Sequence, residues 1–463
     1  MANKTHKRFG SALTRRRLLR GAGLLGAGLA FPHVWIPRPV KATSAFGTVE
    51  HLLYIRLADG FRFPVAFNGE MGAEFNPWGA ARSVASGTEW GVGALLERDE
   101  WRTEIEAELG MKRVPEITNE IAVIPCVDHE PLAGSADGNH QTGLERYLTG
   151  YVGGNLGLFT MINYGLRERM QAELDEGVVN LPAIVMGNPG MGLGFGAYGA
   201  HRPAVLRGDD FDRFSSGATS ELPDWARGMA EAHDLRNKER QNPSHAATID
   251  AYIQSREATR AYAEIFASDV LKIGERSNEP YDGVSNADLA AVFGTSDTGR
   301  NAHMALRLFH FGAPAVYFDQ GGYDFHSDEE ENLPGRMDEV CRLISGLEWA
   351  LKRMTHPNGG TYWDHTVVVF GSEFSRSTRG GRFNSARGSD HGGDLATRWM
   401  SMPFMGGPIA AKGRSIGATD PSTLEALGSV FSYRSMWKTM LDVLGCDHSE
   451  FFPADEPFED LFV

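Results

Sequence analysis

Five short runs of β-branched and aromatic residues constrain this chain more than any other feature. They are His51–Leu57, 121–126, 182–186, 314–318 and 366–370. Each is too short for a helix and apolar almost throughout, which reads as a strand buried on both faces. The stretches between them carry helical spacing. Residues 300–311 and 333–354 each lead directly into a strand, and 142–176 reads as helix in parts, weakened by Gly150, Gly153 and Gly154. Residues 246–273 read as a long helix with a polar face. Strands alternating with helices predict an α/β fold, a doubly wound and mostly parallel sheet with helices on both faces. In such sheets ligands gather beyond the carboxyl ends of the strands.

The first 42 residues stand apart. Lys4, Lys7 and Arg8 precede Thr14-Arg15-Arg16-Arg17-Leu18-Leu19-Arg20, and a glycine-broken apolar stretch follows, ending near Ala42 or Ala45. A positive region, an apolar region and then small residues is the anatomy of an export signal. The paired arginines match the twin-arginine pattern, which makes the twin-arginine translocase a partner and the destination periplasmic or extracellular. A basic nucleic-acid- or membrane-binding helix is the other reading of the same residues. The apolar stretch is too short to span a membrane, so no stable span remains after cleavage. Residues 43–463 then read as one domain, with a helical and loop insertion around 187–300. Within it, the glycine-rich 187–199 lacks the Gly-Lys-Ser/Thr ending of a phosphate loop, and it and the polar 209–224 read as surface loops.

Removing that segment takes away nine Lys or Arg and no acid, so the net charge falls from −15 to −24. A body this acidic is a poor partner for nucleic acid. The three cysteines, Cys126, Cys341 and Cys446, form no CxxC pattern and no disulfide framework.

Candidate ligands follow the strands. Asp324 and His326, two residues apart in Gly-Gly-Tyr-Asp-Phe-His (321–326), share a face in extended backbone and suit a divalent metal; a surface turn explains the pair equally well. Glu373 follows the run 366–370. An acid delivered by a buried strand is costly unless paired or metal-bound. Arg376 offers a planar fork to an anion, or an ion pair to Glu373. Asp390 and His391, between glycines, are suited to one metal or two. Asp59 ends the first strand in an Asp-Gly turn. His140 and Thr142 follow the second strand as candidates for nucleophile or substrate contact. Between Ser375 and Ser389 lie four arginines and no acid, a loop suited to drawing in an anionic substrate.

The blocks Gly-Gly-Tyr-Asp-Phe-His (321–326), Ser-Glu-Phe-Ser-Arg (372–376) and Ser-Asp-His-Gly (389–392) resemble the signature blocks of the domain-of-unknown-function 1501 family, placed in the alkaline phosphatase and sulfatase superfamily. The resemblance implies an alkaline phosphatase-like sheet with one or two divalent ions, zinc or manganese favoured, past its strand ends. Carried over by position, Asp59, Asp324, His326, Glu373, Asp390 and His391 become ligands and Arg376 an anion contact. The implied reaction is hydrolysis or transfer of a phosphate or sulfate ester, on an anionic small molecule or glycan. Related sequences often carry Ser-His where this chain has Asn139-His140. Thr142 or water would then attack, or the fold would serve as a catalytically inactive extracytoplasmic binding or assembly protein.

Overall fold

A computed structural model describes residues 49–73, 75–129, 140–175, 180–206, 265–376, 399–458 and 460–462, with five further positions between 229 and 236. The export segment, 209–224, Asn139, Asp390 and His391 lie outside them, as does most of the basic loop.

The main sheet has eight strands: β1 (His51–Leu57), β2 (Ile121–Asp128), β3 (Ile184–Met186), β4 (Ala204–Leu206), β5 (Ala315–Gln320), β6 (Thr366–Gly371), β7 (Trp399–Met405) and β8 (Phe431–Ser432). Across the sheet they run β8-β2-β7-β6-β1-β5-β3-β4. Every pairing is parallel except those of β7, which is antiparallel to both β2 and β6. The mostly parallel expectation therefore holds, and all five expected strands are present. The strands at 204–206, 399–405 and 431–432 were not legible as strands.

Helices cover both faces. The five that frame the sheet are α1 (His140–Thr149), α2 (Leu158–Gly165), α3 (Asp297–His310), α4 (Glu329–Leu351) and α5 (Tyr433–Val443). Alternate residues of β1 point to opposite sides. Tyr54 meets Trp437 of α5 at 5.1 Å between ring centroids and Tyr147 of α1 at 5.6 Å. Its in-register neighbour Tyr317 meets Phe159 of α2. On the other side the His51 ring lies 4.7 Å from Phe309 of α3, and α4 packs beside α3. All seven residues of β1 are buried, as a central strand covered on both faces requires.

Local chemistry sets the helix ends. Ser296 and Ser432 each cap a helix, accepting the amide protons of Gly299 and Ser435; such caps are worth about 1 kcal/mol. The expected helix over 142–176 is broken after its first element, where Gly150 and Gly153 adopt positive φ, and resumes as α2 and a further helix, Arg167–Asp175. The expected helix over 246–273 is corrected at its described end: 267–273 is turn and 3₁₀ structure. The glycine-rich 187–199 forms short 3₁₀ turns. All three cysteines are buried and unbridged. Among the described residues no helix is long and apolar enough to cross a membrane.

Candidate metal centre

β5, β1 and β6 lie side by side and parallel, with Leu57 opposite Gln320 and Arg56 opposite Gly371. Their carboxyl ends therefore open on one edge of the sheet. Asp59 lies two residues past β1, Glu373 two past β6 and Asp324 four past β5.

The turn after β1 is strained: Asp59 has φ +76° and Gly60 φ +80°. A non-glycine residue in this region costs about 1 kcal/mol or more and persists only when its surroundings hold it. Here the Asp59 amide donates to Glu373 Oε1 at 2.8 Å, and Asp59 Oδ2 accepts from the Gly322 amide at 3.0 Å. The strain thus places one carboxylate against another strand's carboxylate. Glycine at 60 is required twice over, because a Cβ there would stand 2.1 Å from the Phe374 ring.

His140 enters from above as the first residue of α1. One turn on, Gly143 lies against the Glu373 carbonyl, and an added Cβ would be 3.1 Å from that oxygen. This close approach brings His140 Nδ1 to 3.5 Å from Glu373 Oε1, with Nε2 3.5 Å from Asp324 Oδ2. Asp324 Oδ1 in turn accepts from Arg376 Nη1 at 2.7 Å and lies 3.0 Å from His326 Nε2. Arg376 therefore pairs with Asp324, an acid brought in by a different strand.

Charge explains how these acids stay ionised. Glu373 is 2% exposed. Burial pushes its carboxyl up, but the His140 hydrogen bond and then the Arg56 charge outweigh burial and hold it below the ordinary range. Burial likewise pushes Asp324 up, and the Arg376 hydrogen bond and charge bring it below the usual value. His140 is raised, chiefly by its hydrogen bond to Glu373 and against the effect of burial. Arg56 lies in β1 and reaches both Asp319 (2.8 Å) and Glu373 (3.7 Å). Asp319 also takes a bond from Tyr317 and the Asn188 amide, and burial pushes its carboxyl up against the pull of Arg56.

Ligand atoms of Asp59, His140 and Glu373 all lie within 4.8 Å of one another. Two carboxylates and an imidazole suit a divalent transition ion, and with Glu373 buried and ionised the donor set fits one. Of the six expected ligands, then, Asp59 and Glu373 fall in this trio, Asp324 and His326 adjoin it, and Asp390 and His391 lie outside the described residues. His140, expected as a catalytic contact, sits among the ligands. Thr142 is two residues round the helix, off the face that His140 and Gly143 turn towards Glu373. Arg56 was missed; its one signal is that it is the lone Lys or Arg in β1, set between the apolar Ile55 and Leu57.

A family model described as "Protein of unknown function (DUF1501)" matches residues 94–459, a span holding His140, Asp324, His326, Glu373 and Arg376. The chain belongs to the DUF1501 family. Asp59 and β1 precede the matched span, so the DUF1501 match covers four of the five strand-end groups and the helix that brings in His140. No curated protein matches the sequence. Among solved structures, the chain is similar to the integral membrane protein lipooligosaccharide phosphoethanolamine transferase A from Neisseria meningitidis, at 9% identity and a TM-score of 0.29. The overlap takes in 94% of this chain and 62% of that one. At that TM-score the fold of this DUF1501 member rests on its own sheet order.

Proposed function

We propose that the protein is a metal-dependent hydrolase of phosphate or sulfate esters, exported through the twin-arginine route to the periplasm or beyond, with an alkaline phosphatase-like site. The observation that carries this reading is the meeting of Asp59, Glu373 and His140 at the carboxyl ends of adjacent parallel strands, with Asp324, His326 and Arg376 beside them.

In this reading Asp59, His140 and Glu373 hold a zinc- or manganese-type ion. The bound ion supplies Lewis acidity to the ester oxygens. The His140 hydrogen bond, and after it the Arg56 charge, keep Glu373 ionised before loading. Arg376 is fully buried behind Asp324 and acts as a positioning residue, fixing the carboxylate that orients His326. His326 is half-exposed at the mouth and gives a proton to the departing alcohol oxygen. Among the described hydroxyls Thr142 faces aside and Ser372 donates to the Leu57 carbonyl; in this reading water attacks. The arginines that follow Arg376 in the sequence, Arg379, Arg382 and Arg387, favour an anionic substrate, whether a small molecule or a glycan.

The test is elemental analysis of the mature protein, purified without a metal-affinity tag, beside turnover of aryl phosphates and aryl sulfates. Wild type is expected to carry divalent metal and turn over one class; Glu373→Gln and His140→Ala are expected to lose about a hundredfold or more in rate. Unchanged metal and activity in both variants would sink the assignment. A folded wild type that stays metal-free after reconstitution and turns over neither class would support the inactive binding-protein reading instead.

A further inference from the structure

The opposite edge of the sheet carries a second imidazole–carboxylate cluster. Glu50 directly precedes β1, His51 opens it, and His365 directly precedes β6. His356 stands in the connection from α4 to β6, a loop closed by the Thr355–Thr361 bridge. The Glu50 amide donates to the His365 carbonyl at 2.9 Å, which brings the two strand starts together. His365 Nδ1 lies 2.8 Å from Glu50 Oε1, and His356 Nε2 3.9 Å from Glu50 Oε2. His51 Nε2 is 3.2 Å from His356 Nε2. Donors on a tetrahedral zinc ion with arms of about 2 Å stand about 3.3 Å apart, a spacing these distances bracket.

Two of the three imidazoles are set up as ligands usually are. His51 Nδ1 donates to the Ala313 carbonyl at 2.8 Å, and His365 Nε2 to the Gly359 carbonyl at 2.8 Å. A backbone acceptor on one ring nitrogen fixes the tautomer and aims the other nitrogen inward. The cluster is largely buried: His51 and His356 are under 5% exposed, and the Glu50 and His365 side chains 15% and 20%. His356 Nδ1 accepts from the Asn358 amide at 3.2 Å. Coordination through Nε2 moves the His356 proton to Nδ1 and releases that contact.

We propose that Glu50, His356 and His365, with His51 alongside, form a second, structural site for a divalent transition ion, zinc by donor type. The ion would tie the start of the central strand to the start of its neighbour, at the far end of β1 from the first cluster. The inference is independent of the ester-hydrolase reading.

The test uses the full mature chain with His140→Ala and Glu373→Gln together, which empties the first cluster. Loaded with zinc chloride and dialysed, this variant is expected to hold about one zinc per chain and to lose thermal stability on chelation. Adding Glu50→Gln or His365→Ala should bring zinc to near zero and abolish the chelator effect. A folded double variant without zinc would overturn the proposal, as would zinc retained undiminished after both added changes. Failure of the hydrolase reading appears separately, as equal zinc in wild type and the double variant.

Discussion

Replacing Arg56 by methionine tests the electrostatics of the strand-end cluster directly. The Arg56 side chain is 8% exposed and stands between the half-buried Asp319 at 2.8 Å and the buried Glu373 at 3.7 Å. Methionine keeps most of the packing and removes the charge, which leaves both carboxylates without their buried cation. Breaking a buried ion pair from one side costs about 3–5 kcal/mol. With an unfolding entropy of about 2.1 cal/mol/K per residue over some 400 residues, that loss lowers Tm by about 3–6 °C. The assay is thermal unfolding in excess chelator, so that bound metal does not mask the effect. Arg56→Met with Asp319→Asn should recover about half of the loss, since it removes one stranded charge and leaves Glu373. Metal binding should weaken as well, since without the Arg56 charge Glu373 holds its proton more readily and the incoming ion must displace it. A Tm change under about 1 °C in chelator, or no recovery with Asp319→Asn, would refute the view that Arg56 keeps the two acids charged.

Gly60→Ala meets both a positive φ and the Phe374 ring, so a loss of about 2–4 kcal/mol is expected. Because Phe374 packs edge-on against His140 at 5.0 Å, metal content should fall along with the urea midpoint; a variant with wild-type stability and metal would contradict the strained-turn account. His303 gives a pH dependence. It is buried against Asn286 Oδ1, and burial, then the Arg307 charge, lower it from 6.5 to about 3. The unfolded chain gains a proton below about pH 6.5 that the folded chain refuses, so its contribution is complete above that pH and is lost as pH falls towards 3. The slope is about 1.4 kcal/mol per pH unit, roughly 2 kcal/mol between pH 6.5 and 5. His303→Gln should flatten the urea-unfolding profile by that amount, and an unchanged profile would count against a neutral buried imidazole.

The central strands were legible because β1, β5 and β6 are buried on both faces and therefore apolar almost end to end. β7 was not. Its sequence, Trp-Met-Ser-Met-Pro-Phe-Met, is poor in β-branched residues and holds Pro403. The proline is tolerated one residue beyond the last pair with β6, Val369 with Phe404. Asp59, Asp324 and Glu373 could be read because position after a strand places a residue at the sheet's carboxyl edge, whatever the intervening distance in sequence. Which acid meets which partner could not, since the Arg376 link to Asp324 depends on how two separate strand ends lie in space. The same limit hid the Glu50–His356–His365 cluster, whose members precede strands or sit in a loop and carry no local pattern.

The reversed direction of β7 has a consequence for how such a protein can diversify. β6 ends at the edge bearing Glu373, and β7, antiparallel to it, begins at that same edge, so the connection between them joins two points on one edge. The sheet is already closed by pairs on either side of that excursion. Because the entropy of joining two fixed ends through flexible chain grows only with the logarithm of its length, doubling such a connection costs about 0.6 kcal/mol. Length and charge can therefore change between β6 and β7 at little cost to the sheet, while Asp59, Asp324 and Glu373 keep their places past β1, β5 and β6, and His140 its place on α1.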